Sequence, residues 1–283
     1  MPHSFDICLT CPMAMFSKLP YFANESKCAH PFELIHIDIW GPYRVLSQGK
    51  CRYFLTIVDD CSRATWRYLL QYKSQALATL QSFYNYVLNH FKSSIQIIRS
   101  DNALEFDCTP CTTFFHSKGI VHQTSCVDRP QQNGRVERKH RHLLEIARAL
   151  RFQAALPLHF WGDAMLAIAY IINRLPTPIL QHQTPYKILL GTKPDCTHLR
   201  VFGCLAFASN LVRTSNKFQP RGVPCVLLGY SHNQKGYRFL NMLTKQVCTS
   251  RDVQFYEHIF SFHKSSLTQY LQPIPAPIFG TTY

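Results

Sequence analysis

The sequence predicts an α/β fold in which a mixed sheet flanked by helices is followed by a small β-barrel domain. Three observations carry this expectation. Three β-branched and aromatic runs succeed one another between residues 34 and 70. Helical and strand-like segments then alternate as far as residue 150, and from about His198 short strands return, separated by turns containing Asn, Gly or Thr-Lys. A meander that passes into alternating helices and strands builds a mixed sheet covered by helices, whereas closely spaced short strands build a small barrel.

Residues 1–30 hold Cys8-x-x-Cys11 followed by Pro12, lack periodic apolar residues, and read as a remnant or linker. The first strand begins at Leu34. Ile35, Ile37 and Ile39 lie on one face, and Leu34, His36, Asp38 and Trp40 alternate onto the other, as a period of two requires. Gly41-Pro42 stops it, and Tyr53–Val58 and Thr65–Leu70 continue the meander around an Asp59-Asp60 turn. Ser74 is the expected N-cap of a helix to about His90, with Leu77, Leu80, Phe83, Tyr84, Val87 and Leu88 on its apolar stripe. A short strand, Ile95–Arg99, ends at Ser100-Asp101. A helix over Phe106–Lys118 closed by Gly119 and a strand over Ile120–Thr124 follow.

Asp128-Arg-Pro-Gln-Gln-Asn-Gly134 is turn chemistry, since Pro fixes φ and Asn-Gly tolerates positive φ. The helix beyond it carries Val136, Leu143, Leu144, Ala147 and Leu150 on its stripe, with Glu137 on the border. A more uniformly apolar helix, Leu158–Asn173, is expected to pack behind it or against a partner chain, and Leu175-Pro-Thr-Pro178 ends it. The barrel strands fall at 199–208, 225–230, 236–240 and 247–255, and the proline-bearing tail from His263 is expected to be unstructured. The expected organisation is therefore 1–30, a core over 31–195 with trailing helices, a barrel over 196–262, and a tail over 263–283.

At 283 residues and 46% hydrophobic content the chain can bury a core in each of two domains. Its net charge of +14 comes from scarce acids, 16 against 30 Lys and Arg. The cations concentrate: Arg129, Arg135, Arg138, Lys139, Arg141, Arg148 and Arg151 crowd one segment beside Glu137 and Glu145. Clustered positive charge points to nucleic acid. Twelve cysteines without a basic, then apolar, leader read as reduced thiols. The longest apolar stretch, Ala164 to Ile172, is too short to span a bilayer, and no repeat or heptad appears, so membrane spans, solenoids and rods are set aside.

Against so few acids, Asp38, Asp101 and Glu137 stand out, each supplied by a different element: a strand face, a strand end, and a helix opening behind a flexible loop. Converging carboxylates repel unless a cation joins them, and a pair of divalent ions on such ligands supports in-line displacement at phosphodiesters. The Arg138-Lys-His-Arg-His142 run following Glu137 would grip phosphates at that site, with Arg135, Arg138, Lys139 and Arg141 as the contacts and Gln132 and Asn133 reaching a DNA end. Trp40, Trp66 and Trp161 read as core residues. Lys217, Arg221, Lys235 and Arg238 could bring DNA to the barrel, which could equally serve assembly.

The words that carry a family resemblance are His36-Ile-Asp-Ile-Trp-Gly-Pro, Tyr53-Phe-Leu-Thr-Ile-Val-Asp-Asp-Cys-Ser-Arg, Arg99-Ser-Asp-Asn, Gly119-Ile-Val-His-Gln-Thr-Ser-Cys and Pro130-Gln-Gln-Asn-Gly-Arg-Val-Glu-Arg-Lys-His-Arg. They continue through Phe160-Trp-Gly-Asp, Leu199-Arg-Val-Phe-Gly-Cys, Leu228-Gly-Tyr and Ser250-Arg-Asp-Val. With these the chain resembles a copia-like (Pseudoviridae-type) retrotransposon integrase: an RNase H-like catalytic core followed by a small SH3-like barrel. The resemblance implies that Asp38, Asp101 and Glu137 are the catalytic, metal-binding triad for Mg²⁺ or Mn²⁺. It implies a polynucleotidyl transferase that processes DNA ends and transfers strands between element ends and target. A homo-oligomer working in the nucleus is implied as well. The rival reading is a truncated or domesticated relic that binds nucleic acid without catalysis.

Two departures from the family pattern bear on this. The family usually has Gly after the second Asp-Asn, where this chain has Ala103; a positive φ there would cost about 1 kcal/mol. The family also carries an amino-terminal His-His-Cys-Cys zinc module, of which Cys8 and Cys11 match the last two ligands. No suitable histidine pair precedes them, and zinc wants four ligands. Cys108-x-x-Cys111 is a rival half-site, but its place in the core between two triad members favours two unrelated thiols.

Overall fold

The computed structural model of the chain describes residues 28–125, 134–209, 220–231 and 234–263. Cys8, Cys11, Gln132, Asn133, Lys217 and the proline-bearing tail lie outside them.

The expected meander is present. Strands β1 (Leu34–Trp40), β2 (Tyr53–Asp59) and β3 (Thr65–Leu70) pair antiparallel. Helix α1 (Ala76–Phe91) then crosses to β4 (Ile97–Ser100), and α2 (Thr109–Lys118) to β5 (Val121–Thr124), both pairing parallel. The resulting sheet runs β3-β2-β1-β4-β5. Its helix-covered faces explain why β1 is buried on both sides through Ile37.

Local details move the expected boundaries. Ser74 does not cap α1: it sits inside a 3-10 turn, Lys73–Gln75, and the Gln75 side-chain oxygen accepts from Gln71 N and Tyr72 N at 2.8 and 3.2 Å. Helix α2 starts at Thr109 rather than Phe106, because Cys108 is extended and Pro110 suits only a first helical turn. Gly119 closes it at φ +65°, as expected of a C-terminal glycine.

Ile35, Ile37, Leu55, Ile57 and Ile98 face α1 and α2. The opposite face carries Asp38, Thr56 and Arg67 in one row across β1, β2 and β3. It is covered by α3 (Gly134–Gln153) and α4 (Trp161–Ile172), which pack on each other and on Phe54 through Leu143, Ala147, Trp161 and Met165. Trp40 stacks on Phe54 at 5.0 Å, so it joins the core as expected. Helix α4 finds its apolar cover inside the chain, against α3, β3 and the second sheet. A short helix α5 (Pro185–Leu190), not anticipated, is capped by Thr184, whose side chain accepts from Lys187 N.

The second domain is an antiparallel sheet of β6 (Leu205–Ser209), β7 (Gly222–Tyr230), β8 (Tyr237–Asn241), β9 (Val247–Ser250) and β10 (Val253–Tyr256), in the order β10-β6-β7-β8-β9. Residues 199–204 stay outside the first strand, and the run expected as one strand over 247–255 breaks at Arg251-Asp252 into two. The sheet curls until Phe255 of one edge packs on Tyr237 and Phe239, with ring centroids 4.9 and 6.0 Å apart. Val226, Leu228 and Leu240 join the core beneath α3 and α4, so the two domains share an apolar seam. Gly203 marks that seam. At φ +79° it lies so close to Ala154 that an added Cβ would sit 2.2 Å from the Ala154 methyl, a place only glycine can hold. Among the described residues no helix is long and apolar enough to cross a membrane.

Candidate active site

The carboxylates are positioned by the sheet and by α3. Asp38 leaves β1 on the α3 face. Parallel pairing of Leu34 with Ile97 and His36 with Arg99, continued by two residues, sets Asp101 alongside Asp38. Asp101 Oδ1 accepts from Ala103 N at 3.2 Å, folding the strand end into a tight turn. Ala103 is not among the residues with positive φ, so no strain arises from the missing glycine. Glu137 rides exposed on the first turn of α3.

Burial pushes the Asp38 carboxyl up to about 7, and the fields of Asp101, Glu137 and Glu105 push the same way. The fields of Asp101 and Glu137 therefore reach Asp38. The three carboxylates are not drawn into a closed cage: among the described residues no three His, Cys, Asp or Glu side chains are grouped as a ready metal site.

Two neighbours of the triad escaped the sequence reading. Glu105, four residues past Asp101, is a fourth carboxylate in the field, bound by Lys73 Nζ. His140, one helical turn beyond Glu137, places Nδ1 3.4 Å from Asp38 Oδ2. Its ring is buried, edge-on to Phe54 at 5.4 Å. Burial, then the field of Arg67, drives its pKa down to about 3, so the imidazole is neutral at physiological pH. Its spacing from Glu137, i to i+3, was the available signal, hidden because the residue reads as one more member of a basic run.

That basic run divides over different surroundings. Arg135 reaches the buried Asp60 at the β2–β3 turn, where His36 Nε2 also binds at 2.9 Å and Arg63 at 3.4 Å. It thus ties the start of α3 to the sheet. Lys139 is half-buried and pushed down to about 8, by burial first and then by Arg67 and Arg63. Arg138 and Arg141 are exposed. In the second domain Arg221 and Lys235 are exposed, whereas Arg238 binds Asp163 of α4 at 3.0 Å and so serves the domain seam. Cys108 and Cys111 are not unrelated: their sulfurs lie 3.2 Å apart, and both face the Glu105 carbonyl.

Arg67 is the costliest group near the site. It is 6% exposed, contacts Met165 Sδ at 3.5 Å and the Phe54 ring at 5.0 Å, and neither Nε nor Nη2 finds an acceptor. Burial alone pulls it down to about 9. Replacing a buried, unpaired cation by an apolar residue of similar volume stabilises by about 1–3 kcal/mol. Arg67→Met is therefore expected to raise the thermal midpoint, read by differential scanning calorimetry; a lowered midpoint would refute this account of Arg67.

Comparison with known proteins adds sequence relationships to this geometry. Residues 29–130 match the integrase core domain family, and residues 204–268 the retroviral polymerase SH3-like domain family. The chain is 37% identical over 260 residues to the retrovirus-related Pol polyprotein from transposon RE1 of Arabidopsis thaliana, covering 92% of this chain and 18% of that protein. It is 32% identical over 250 residues to the corresponding polyprotein from transposon TNT 1-94 of Nicotiana tabacum, covering 87% and 19%. The chain thus spans under one fifth of the length of these curated relatives. Among solved structures, a chain of the simian T-cell lymphotropic virus intasome in complex with PP2A regulatory subunit B56 gamma superposes with a TM-score of 0.51 at 15% identity. That match covers 87% of this chain and 88% of the other, and it supports the fold.

Proposed function

Since the chain belongs to the integrases carried in retrotransposon Pol polyproteins, we propose that it processes the ends of element DNA and joins them to target DNA, with Asp38, Asp101 and Glu137 as the catalytic carboxylates. One observation carries the proposal. Burial and neighbouring carboxylates raise Asp38 to about 7, and a cluster of hard oxygens short of positive charge is the donor set that Mg²⁺ or Mn²⁺ satisfies. Asp38, Asp101 and Glu137 would hold two such ions, which supply an activated oxygen nucleophile and stabilise the leaving oxygen.

The chain's own residues do the rest. His140, neutral and packed on Phe54, sets Nδ1 3.4 Å from Asp38 Oδ2 and so walls that carboxylate on the α3 side. Arg141 and Arg148 lie exposed on α3, where they can neutralise DNA phosphates near Glu137. Gln132 and Asn133, with Arg138, are assigned to the DNA end on the same reading. Beside Trp40, an apolar cleft of about 270 Å³ is lined by Tyr43, Leu144, Trp161, Arg148 and Arg151, which suits an unstacked base near the carboxylates. Assembly into a homo-oligomer on two DNA ends, in the nucleus, belongs to the same proposal. Zinc is no part of it, since Cys8 and Cys11 lie outside the described residues.

Recombinant protein incubated with element-end oligonucleotides and Mn²⁺ is expected to give strand-transfer products on a sequencing gel. The second reading, a nucleic-acid binder without catalysis, draws on the exposed cations Arg138, Arg141 and Arg148 along α3. A salt-sensitive gel shift with no metal-dependent product would establish it and overturn the first.

A further inference from the structure

Helix α3 carries two stripes of different chemistry. Glu137, His140, Leu144 and Arg148 follow one flank, toward Asp38. Arg135, Lys139, His142 and Ile146 recur at i, i+4, i+7 and i+11, and so occupy the opposite flank. That second flank borders a cavity of about 620 Å³. Arg63, Arg135, Arg138, Lys139 and His142 line one side, and no acidic residue is found in the described lining. Ile172, Leu175, Pro176, Pro178 and Ile179 form the other side.

The imbalance of charge is built into the site. Asp60, the carboxylate that Arg63 and Arg135 reach, is already shared with His36, and Glu145 of α3 acts on His142 from outside the lining. Like charges gathered in a concave, partly desolvated space repel unless an anion joins them. Lys139 shows the cost, since burial and the fields of Arg67 and Arg63 make its charged form harder to keep. Arg63 is affected the same way and has a buried Nε without an acceptor. The apolar wall narrows the ligand further. Inorganic phosphate would leave it uncovered, whereas a ring or aliphatic body would fill it, and the volume is that of a small-molecule pocket.

We propose that this cavity binds an organic phosphate of the nucleotide class, its phosphates on the Arg63, Arg138 and Lys139 wall and its ring against Leu175 and Ile179. Such a ligand has two possible sources, a free nucleotide or the 5′-terminal nucleotide of a DNA strand. Asp38, Asp101 and Glu137 are not among its lining residues, so the site does not depend on those carboxylates, although Arg138 is shared with the DNA-end reading above.

Isothermal titration calorimetry of the full chain in EDTA tests it with three probes: ATP, inorganic tripolyphosphate and adenosine. ATP is expected to saturate one site more tightly than tripolyphosphate, with no measurable heat from adenosine. Ile179 is 73% exposed, so Ile179→Glu should fold normally while setting a carboxylate against the ligand, weakening ATP at least tenfold. Lys139→Gln should weaken it too. Asp38→Asn should bind ATP as the parent does, which separates failure of this site from failure of the carboxylate assignment. Competition by a 5′-phosphorylated but not a 5′-hydroxyl oligonucleotide would support the site with a DNA end as its ligand; no competition by either would support it with a free nucleotide. Absence of saturable ATP binding, or ATP binding that neither Ile179→Glu nor Lys139→Gln weakens, overturns the proposal.

Discussion

Asp38→Asn is expected to lower strand transfer by at least about 10³-fold, the scale on which loss of a group that organises transition-state charge is felt. Asn keeps the shape of Asp, so the loss would report charge rather than misfolding. The same substitution should make the metal-free protein more stable at pH 8. The sign follows from linkage. The folded-state pKa of Asp38, about 7, lies above that of a free carboxyl, so the folded state holds the proton more tightly. The parent therefore loses stability as pH rises from about 4 through about 7. With its side chain 17% exposed, that loss is on the order of 2 kcal/mol after allowance for residual solvation, and Asn escapes it. Urea unfolding in EDTA at pH 5 and pH 8 should show the variant gaining on the parent at both, and markedly more at the higher pH. Strand transfer that survives, or a stability gap that does not depend on pH, would remove Asp38 from the role given to it.

The reach and the limit of the sequence can be argued from individual residues. The alternation from Leu34 to Trp40 placed Asp38 on one sheet face because a period of two leaves no choice. The strand ending at Ser100 carried Asp101 to its position because parallel pairing with β1 fixes the register. Both are local consequences of backbone geometry. Ser74 failed as a cap because Gln75, one residue on, folds its own side chain back onto the backbone of Gln71 and Tyr72, a competition that residue identity does not rank. The fates of Arg135, Lys139 and Arg238 could not be read at all. Each is a cation in a basic stretch, and only the approach of distant elements decides that one meets Asp60, another turns into a cavity, and the third binds Asp163. His140 was missed for the same reason, since its partner lies on β1, about a hundred residues earlier.

Asp60→Ala is expected to be the most destabilising single change near the site. Asp60 is 3% exposed and accepts from His36 Nε2, Arg63 and Arg135 at once. Burial by itself would raise its pKa, yet the His36 hydrogen bond and the Arg135 and Arg63 charges outweigh it and hold the carboxyl at about 2. Removing the carboxylate leaves a buried imidazole and two guanidinium groups facing one another. Breaking a buried ionic cluster in this way costs about 3–5 kcal/mol, or a fall of roughly 10 °C in the thermal midpoint for a protein of this size. Because the partners, not the carboxylate, then bear the penalty, deleting one of them should return part of it: Asp60→Ala combined with Arg135→Ala should be less unstable than the two separate losses added together. The consequence reaches the chemistry through α3. Arg135 lies two residues before Glu137, and its grip on Asp60 is what fastens that turn of the helix to the sheet carrying Asp38. Loss of the tether should thus lower strand transfer in Asp60→Ala even below the temperature at which the variant unfolds. A midpoint within 2 °C of the parent, or strict additivity in the double variant, would show that Asp60 holds nothing that α3 depends on.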